Sequence, residues 1–165
     1  MRRILLTCTL AFTLLPVFGG EGKAPPMNKE KSLLIDYVDP FIGTTNFGTT
    51  NPGAVCPNGM MSVVPFNVMG SADNTYDKDA RWWSTPYEYT NCFFTGYSHV
   101  NLSGVGCPEL GSLLLMPTTG ELNVDYKEYG SKYKDEQASP GYYSNYLTKY
   151  NIKTEVSATP RTGIA

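Results

Sequence analysis

Two adjacent tryptophans, one histidine and the polar residues beside it are the side chains whose spacing could do chemistry. Trp82-Trp83 stands in a polar stretch between Arg81 and Pro86. Neighbouring side chains in extended backbone point to opposite faces, so both rings cannot enter one core. An exposed indole face packs against the apolar C–H face of a sugar ring, and exposed aromatic surface marks binding sites. The competing reading has both tryptophans covering the end of a β-sandwich. His99, in Tyr97-Ser98-His99-Val100-Asn101, is the only histidine. A lone histidine is more often a packed, hydrogen-bonded residue than a catalyst. With no nucleophile elbow, no Ser-His-Asp set can be built around it.

Other patterns fail on spacing. Gly104-Val105-Gly106 runs into Cys107-Pro108-Glu109, without the third glycine or the following helix of a dinucleotide loop. Asp73, Thr75, Asp77 and Asp79 begin like a calcium loop. Lys78 stands where that loop needs Gly, however, and no Glu occupies its twelfth position. A solvated loop, or at most a generic cation contact, is left. Asn101-Leu102-Ser103 is a formal glycosylation sequon, relevant only in a host that glycosylates its exports. Cys56, Cys92 and Cys107 form no CxxC pair and match no zinc spacing, so they read as small buried hydrophobes, with or without one bridge.

The elements that must position these residues are strands. Of 165 residues, 41% are hydrophobic, 13% aromatic and 17% charged, with 16 Gly and 12 Pro. That composition suits one domain of short strands and tight turns, and argues against disorder. The net charge is −2, and no basic cluster follows Arg2-Arg3, which argues against nucleic acid as a partner. Order is expected to begin at Leu33. Residues 43–59 read as a long Gly/Thr/Asn/Pro loop with apolar residues too sparse for a core element. Strands are predicted over Met60–Val68, with Pro65 at an edge or bulge, over Cys92–Tyr97, and over Leu110–Met116, the last buried on both faces. Tyrosines crowd residues 126–150 as in paired strands. Ile152, Thr154, Val156 and Ala158 alternate with Lys153, Glu155 and Ser157, a half-buried strand. No dozen-residue window has an amphipathic helical period. The predicted fold is an all-β sandwich. The strand at 152–158 is expected to lack a partner after it, leaving an exposed edge, as if the chain were cut short.

Residues 1–20 read as a secretory signal peptide: Arg2-Arg3, an apolar run broken at Pro16, then Gly19-Gly20. Residues 21–32 form a polar linker and residues 33–165 the domain. No later stretch is apolar enough to span a bilayer as a helix. Export to the periplasm, the cell surface or the medium is expected.

Ordered blocks in the domain resemble the opening of glycoside hydrolase family 92. They are Asp39-Pro40-Phe41-Ile42-Gly43-Thr44, Asn51-Pro52-Gly53-Ala54, Gly59-Met60, Trp82-Trp83-Ser84-Thr85-Pro86-Tyr87 and the run from Thr95 to Pro108. Leu115-Met116-Pro117-Thr118-Thr119-Gly120, Pro140-Gly141-Tyr142-Tyr143-Ser144 and Thr159 to Gly163 continue the series. The resemblance implies an exo-acting, calcium-dependent bacterial α-mannosidase that removes terminal α-mannosyl residues from glycans with inversion. It implies an incomplete, supersandwich-like N-terminal β-sandwich, with the catalytic (α/α) toroid missing. In such enzymes the general acid, the base and the calcium ligands lie in the toroid, so no catalytic or metal-binding residue is carried over. The N-terminal sandwich lends loops to the sugar pocket. The resemblance therefore points to Trp82 and Trp83 as sugar contacts, followed by His99, Asn101 and Glu109. Pro57-Asn58-Gly59-Met60 lacks the Phe often found before the glycine, which removes any contact of that ring. On this reading the chain helps shape the pocket for mannose-containing glycans but is inactive alone, its partner being the missing C-terminal catalytic domain. The alternative is a free-standing carbohydrate-binding sandwich without catalysis.

Overall fold

The alternation at the end of the chain builds one sheet of the domain. Ser139-Pro140-Gly141-Tyr142 places Pro and Gly at the two central turn positions, and Gly141 takes φ +78°, as a type II turn requires. Asn151 at φ +55° closes the next turn, a conformation asparagine tolerates. The computed structural model describes residues 33–45, 48–76, 85–101 and 111–165.

In chain order the elements are a 3₁₀ turn (Leu34–Tyr37), β1 (Ala54–Val55), β2 (Ser62–Phe66), β3 (Phe93–Phe94), β4 (Gly96–His99) and β5 (Leu113–Leu115). A single helical turn follows, α1 (Tyr126–Tyr129), then β6 (Ser131–Ser139), β7 (Tyr142–Leu147), β8 (Ile152–Ala158) and β9 (Gly163–Ile164). Asp125 caps α1 by accepting from Lys127 N. The described strands form two sheets, ordered β1-β2-β4-β5 and β3-β6-β7-β8-β9, with every pairing antiparallel. Their inner faces bury Ala54, Val63, Phe94, Tyr97, Tyr143, Leu147 and Val156 as one core. Phe94 and Tyr97 meet edge to face at 4.9 Å, and Tyr97 and Tyr143 at 6.0 Å. The fold is the all-β sandwich that the sequence predicts.

Several local expectations are corrected. The predicted strand over Cys92–Tyr97 is two strands in different sheets. Thr95 and Gly96 carry the chain across, and Gly96 sits at φ +146° with no room for a side chain. Leu110–Met116 is not buried on both faces. Only Leu113–Leu115 pair, β5 ends its sheet, and the three leucines are 53%, 38% and 45% exposed. An apolar run identifies a strand but does not say whether a second layer covers it. The loop at 43–59 does contribute to the core, through buried Ala54 on β1.

The strand at 152–158 is not the last one, because Ser157 pairs with Ile164 and Ala158 with Gly163. Thr159-Pro160-Arg161-Thr162 turns the chain back, closed by Thr159 N–H to Thr162 O at 2.8 Å. Pro65 lies within β2, which has neighbours on both sides, but β1 reaches only Val63. Val100 N–H donates to Ser62 O, so even-numbered residues of β2 bond β4 and Pro65 faces the side already vacated by β1. Its missing N–H breaks no ladder bond. The cysteines are not all buried: Cys56 is half-buried, Cys92 is exposed, and both are free thiols. Cys107 and the residues expected to form a signal peptide (1–20) and a linker (21–32) lie outside the described residues. No helix among the described residues is long and apolar enough to cross a membrane.

Candidate functional site

Of the five candidate residues, Trp82, Trp83 and Glu109 lie outside the described residues, as do Asp77 and Asp79. His99 closes β4 and is buried; its Nδ1 lies 3.1 Å from Leu113 O, so the ring ties β4 to β5. Asn101 donates from its backbone N–H to Ser62 Oγ (2.8 Å) and from Nδ2 to Ser98 Oγ (3.0 Å). Between them Val100 takes φ +58°, a costly conformation for a β-branched residue. Its bond and that of Asn101, both to Ser62, hold it there.

The segment that follows Trp82-Trp83 in sequence begins its described course at Thr85, at the other end of β2. Register places His99 beside Val63 and Gly96 beside Phe66, whereas Asn67 N–H donates to Pro86 O at 3.0 Å. Four residues of strand, about 13 Å, therefore separate His99 from the stem of the tryptophan stretch. Sequence reasoning grouped His99 and Asn101 with the tryptophans; the strand direction sets the described parts apart.

Thr85, Tyr87, Glu88 and Asn91 are all buried, and Asn67 organises them. Its Nδ2 donates to Glu88 O (2.9 Å) and Tyr133 Oη (2.8 Å), while its Oδ1 accepts from Glu88 N–H (2.8 Å). Its carbonyl accepts from Asn91 Nδ2 at 2.9 Å and Asn74 Nδ2 at 3.1 Å. The Glu88 carboxylate accepts from Thr45 Oγ1, and from Thr90 Oγ1 at 3.1 Å.

A second carboxylate enters from the opposite sheet. Register in the β6–β7 pair shifts between Lys134 and Gln137, and Asp135 takes φ +54°. A bulge of this kind re-aims a side chain, and Glu136 meets the sandwich interior. Tyr87 Oη donates to both of its oxygens at 2.9 Å, and Tyr143 Oη donates to Oε1 at 2.5 Å. Burial pushes the Glu136 carboxyl up despite these two donors, and burial raises the Tyr87, Tyr133 and Tyr143 hydroxyls as well. Both carboxylates are engaged by hydroxyls of the same domain. Sequence reasoning missed Asn67 and Glu136. Tyr87 lay in the quoted aromatic block, but nothing in residues 134–136 signals a bulge.

Glu136 supports a pH prediction. Its folded value lies above the free value of 4.5, so the folded state holds the proton more tightly than the unfolded one. The contribution is present below 4.5 and is lost as pH rises through the raised folded value. Glu136→Gln is expected to melt above the parent at pH 8, the two converging near about pH 4. Equal melting differences at both pH values would refute the assignment.

Among the described residues no three His, Cys, Asp or Glu side chains gather as a metal site, so they do not fit the calcium that the family resemblance implies. A groove of about 390 Å³ opens where β5 ends beside β8, lined mainly by Tyr97, Leu115, Met116, Pro117, Ile152 and Thr154. Neither His99 nor Asn101 reaches it.

The sequence profile of the glycosyl hydrolase family 92 N-terminal domain matches residues 37–165. A family 92 α-mannosidase of Bacteroides thetaiotaomicron, solved with mannoimidazole, is 34% identical with a TM-score of 0.65; the match covers 78% of this chain and 17% of that one. A second family 92 glycosyl hydrolase is 30% identical with a TM-score of 0.60, over 78% of this chain and 18% of its own. An inverting mannosidase of Bacteroides thetaiotaomicron shares the fold at 23% identity and a TM-score of 0.55, over 78% of this chain and 17% of its own. No curated protein matches. The chain thus spans under a fifth of the length of these solved relatives.

Proposed function

Because the chain belongs to glycosyl hydrolase family 92, we propose that it is the N-terminal sandwich of an exported α-mannosidase acting on terminal α-mannosyl residues of glycans. The observation that carries this reading is the match over 78% of the chain, at 34% identity, to an α-mannosidase solved in complex with mannoimidazole. In this reading residues 1–20 direct export and are removed, and hydrolysis proceeds with inversion. The acid, the base and calcium belong to a larger catalytic domain, and the sandwich alone does not turn over substrate. The exposed leucines of β5 support a partner domain, since contiguous apolar surface seeks cover.

Trp82 and Trp83 supply an aromatic face to the mannosyl ring. Asn67, Tyr87 and Glu88 hold the stem from which that stretch departs. In the intact protein, Trp82→Ala/Trp83→Ala is expected to raise KM for an α-linked mannobiose about tenfold, the scale of one lost aromatic contact. A double variant that folds and keeps the parental KM would remove the tryptophans from the sugar site.

A further inference from the structure

Six large apolar side chains within residues 33–42 face solvent. Leu33, Leu34, Ile35, Tyr37, Val38 and Ile42 are all exposed, and no residue of the 3₁₀ turn is buried. The backbone that presents them is held by its own hydrogen bonds. The Asp36 carboxylate accepts from Leu33 N–H at 3.0 Å, and Asp36 N–H donates to Leu33 O at 2.9 Å. Asp39 Oδ1 accepts from Phe41 N–H at 2.9 Å, and the Phe41 ring meets Tyr89 edge to face at 5.7 Å. In a 3₁₀ turn, residues three apart lie on one side, which pairs Ile35 with Val38 and Leu34 with Tyr37. Ile35 and Val38 border a groove of about 340 Å³ against Ala138, Ser139 and Pro140. Leu34 and Tyr37 form the other row and are the more exposed, at 87% and 75%. One row leans toward the end of the β6–β7 hairpin and the other points outward.

The size of this face selects its partner. A fully exposed apolar side chain presents about 100–150 Å², so the six present on the order of 500 Å². Covered from both sides, that is about 1,000 Å², within the roughly 600–1,500 Å² of contacts between domains of one chain. It falls short of the roughly 1,200 Å² at which specific complexes between separate proteins begin. The chain just before it cannot supply the cover, because residues 21–32 contain one large apolar side chain, Met27. The match to the mannosidase solved with mannoimidazole occupies 17% of that protein, so most of such an enzyme lies outside the sandwich.

We propose that residues 33–42 are a docking face for the catalytic domain of the same protein, centred on Leu34 and Tyr37. The inference rests on the two-domain reading above. It adds a second contact to the leucines of β5, at the end of the β6–β7 hairpin.

The test uses hydrogen exchange in the intact, unmodified protein. The Leu34 and Ile35 amides donate to no described acceptor, as expected of the first residues of a turn. They are expected to exchange at least about tenfold more slowly than unstructured peptide amides, because the partner domain covers them. Leu34→Cys gives a second reading at a position outside the sandwich core. Maleimide labelling of residue 34, localised by fragment mass spectrometry, is expected to be at least about tenfold slower in the native protein than in urea. Unprotected amides in the unmodified protein would overturn the proposal whatever the label shows. Protection that is lost on dilution would also overturn it, assigning the face to a second copy of the chain. Hydrolysis of an α-linked mannobiose by the same preparation separates the two failures. Turnover with unprotected amides removes the docking face alone. An intact protein without turnover and without a second domain removes the reading above, and this inference falls with it.

Discussion

Asn67→Leu is expected to destabilise the domain by about 2–3 kcal/mol, although the two side chains are similar in size. Asn67 is fully buried at the end of β2, and its side chain makes hydrogen bonds to Glu88 N–H, Glu88 O and Tyr133 Oη. Leucine fills the space and satisfies none of them. A buried N–H left without a partner costs about 1–3 kcal/mol, and Glu88 N–H is left so, while Glu88 O keeps its bond from Asn91 N–H at 3.1 Å. Tyr133 is partly protected as well, because its hydroxyl also donates to Asn91 O at 2.9 Å. Set against a typical net stability of about 5–15 kcal/mol, the loss is a sizeable part of the domain's margin. It should appear as a large fall in melting temperature and as rapid proteolysis within residues 85–91. A variant that melts within about 2 °C of the parent would show that the network is not what holds this segment.

Phe94→Ala is expected to cost about 3–5 kcal/mol, the range for deleting a fully buried ring. Phe94 has no exposed surface and packs edge to face on Tyr97 at 4.9 Å and on Tyr133 at 6.0 Å. It is one of only two residues in β3, immediately before the chain crosses to the other sheet. The cavity would therefore open where the two sheets are covalently joined, and neither sheet can close it without moving the other. Phe93→Ala is the control: that ring is half-buried at the rim, and its loss is expected to cost less than about 2 kcal/mol. Comparable destabilisation by both, measured by urea denaturation of the intact protein, would contradict the placement of Phe94 in the shared core.

The strands were legible where one face meets the core and the other meets water. In β8 the burial of Thr154 and Val156 against exposed Lys153, Glu155 and Ser157 reproduces the alternation in the sequence, because a period of two is written directly into residue types. The strand over Leu113–Leu115 was legible, but not its exposure, since covering layers are long-range facts. The crossing at Thr95-Gly96 was illegible because Cys92-Phe93-Phe94-Thr95-Gly96-Tyr97 looks the same as one strand or two. Tyr87 stood in an aromatic block that was read for its tryptophans. Its partner Glu136 stood in a charged run, Lys134-Asp135-Glu136, that reads as a solvated strand face.

The sequence alone determined the all-β class and the family, because strand periodicity and ordered local blocks survive without knowledge of any contact. It also singled out Trp82-Trp83, whose adjacency is itself the signal. Only the tertiary structure decided that His99 and Asn101 serve the β4–β5 end of the sheet, about four residues of β2 away from the stem of the tryptophan stretch. Only it could bring Glu136 across the sandwich to Tyr87, 49 residues earlier in the chain. A bulge and a change of sheet depend on how layers pack, and no local pattern of residue types encodes them.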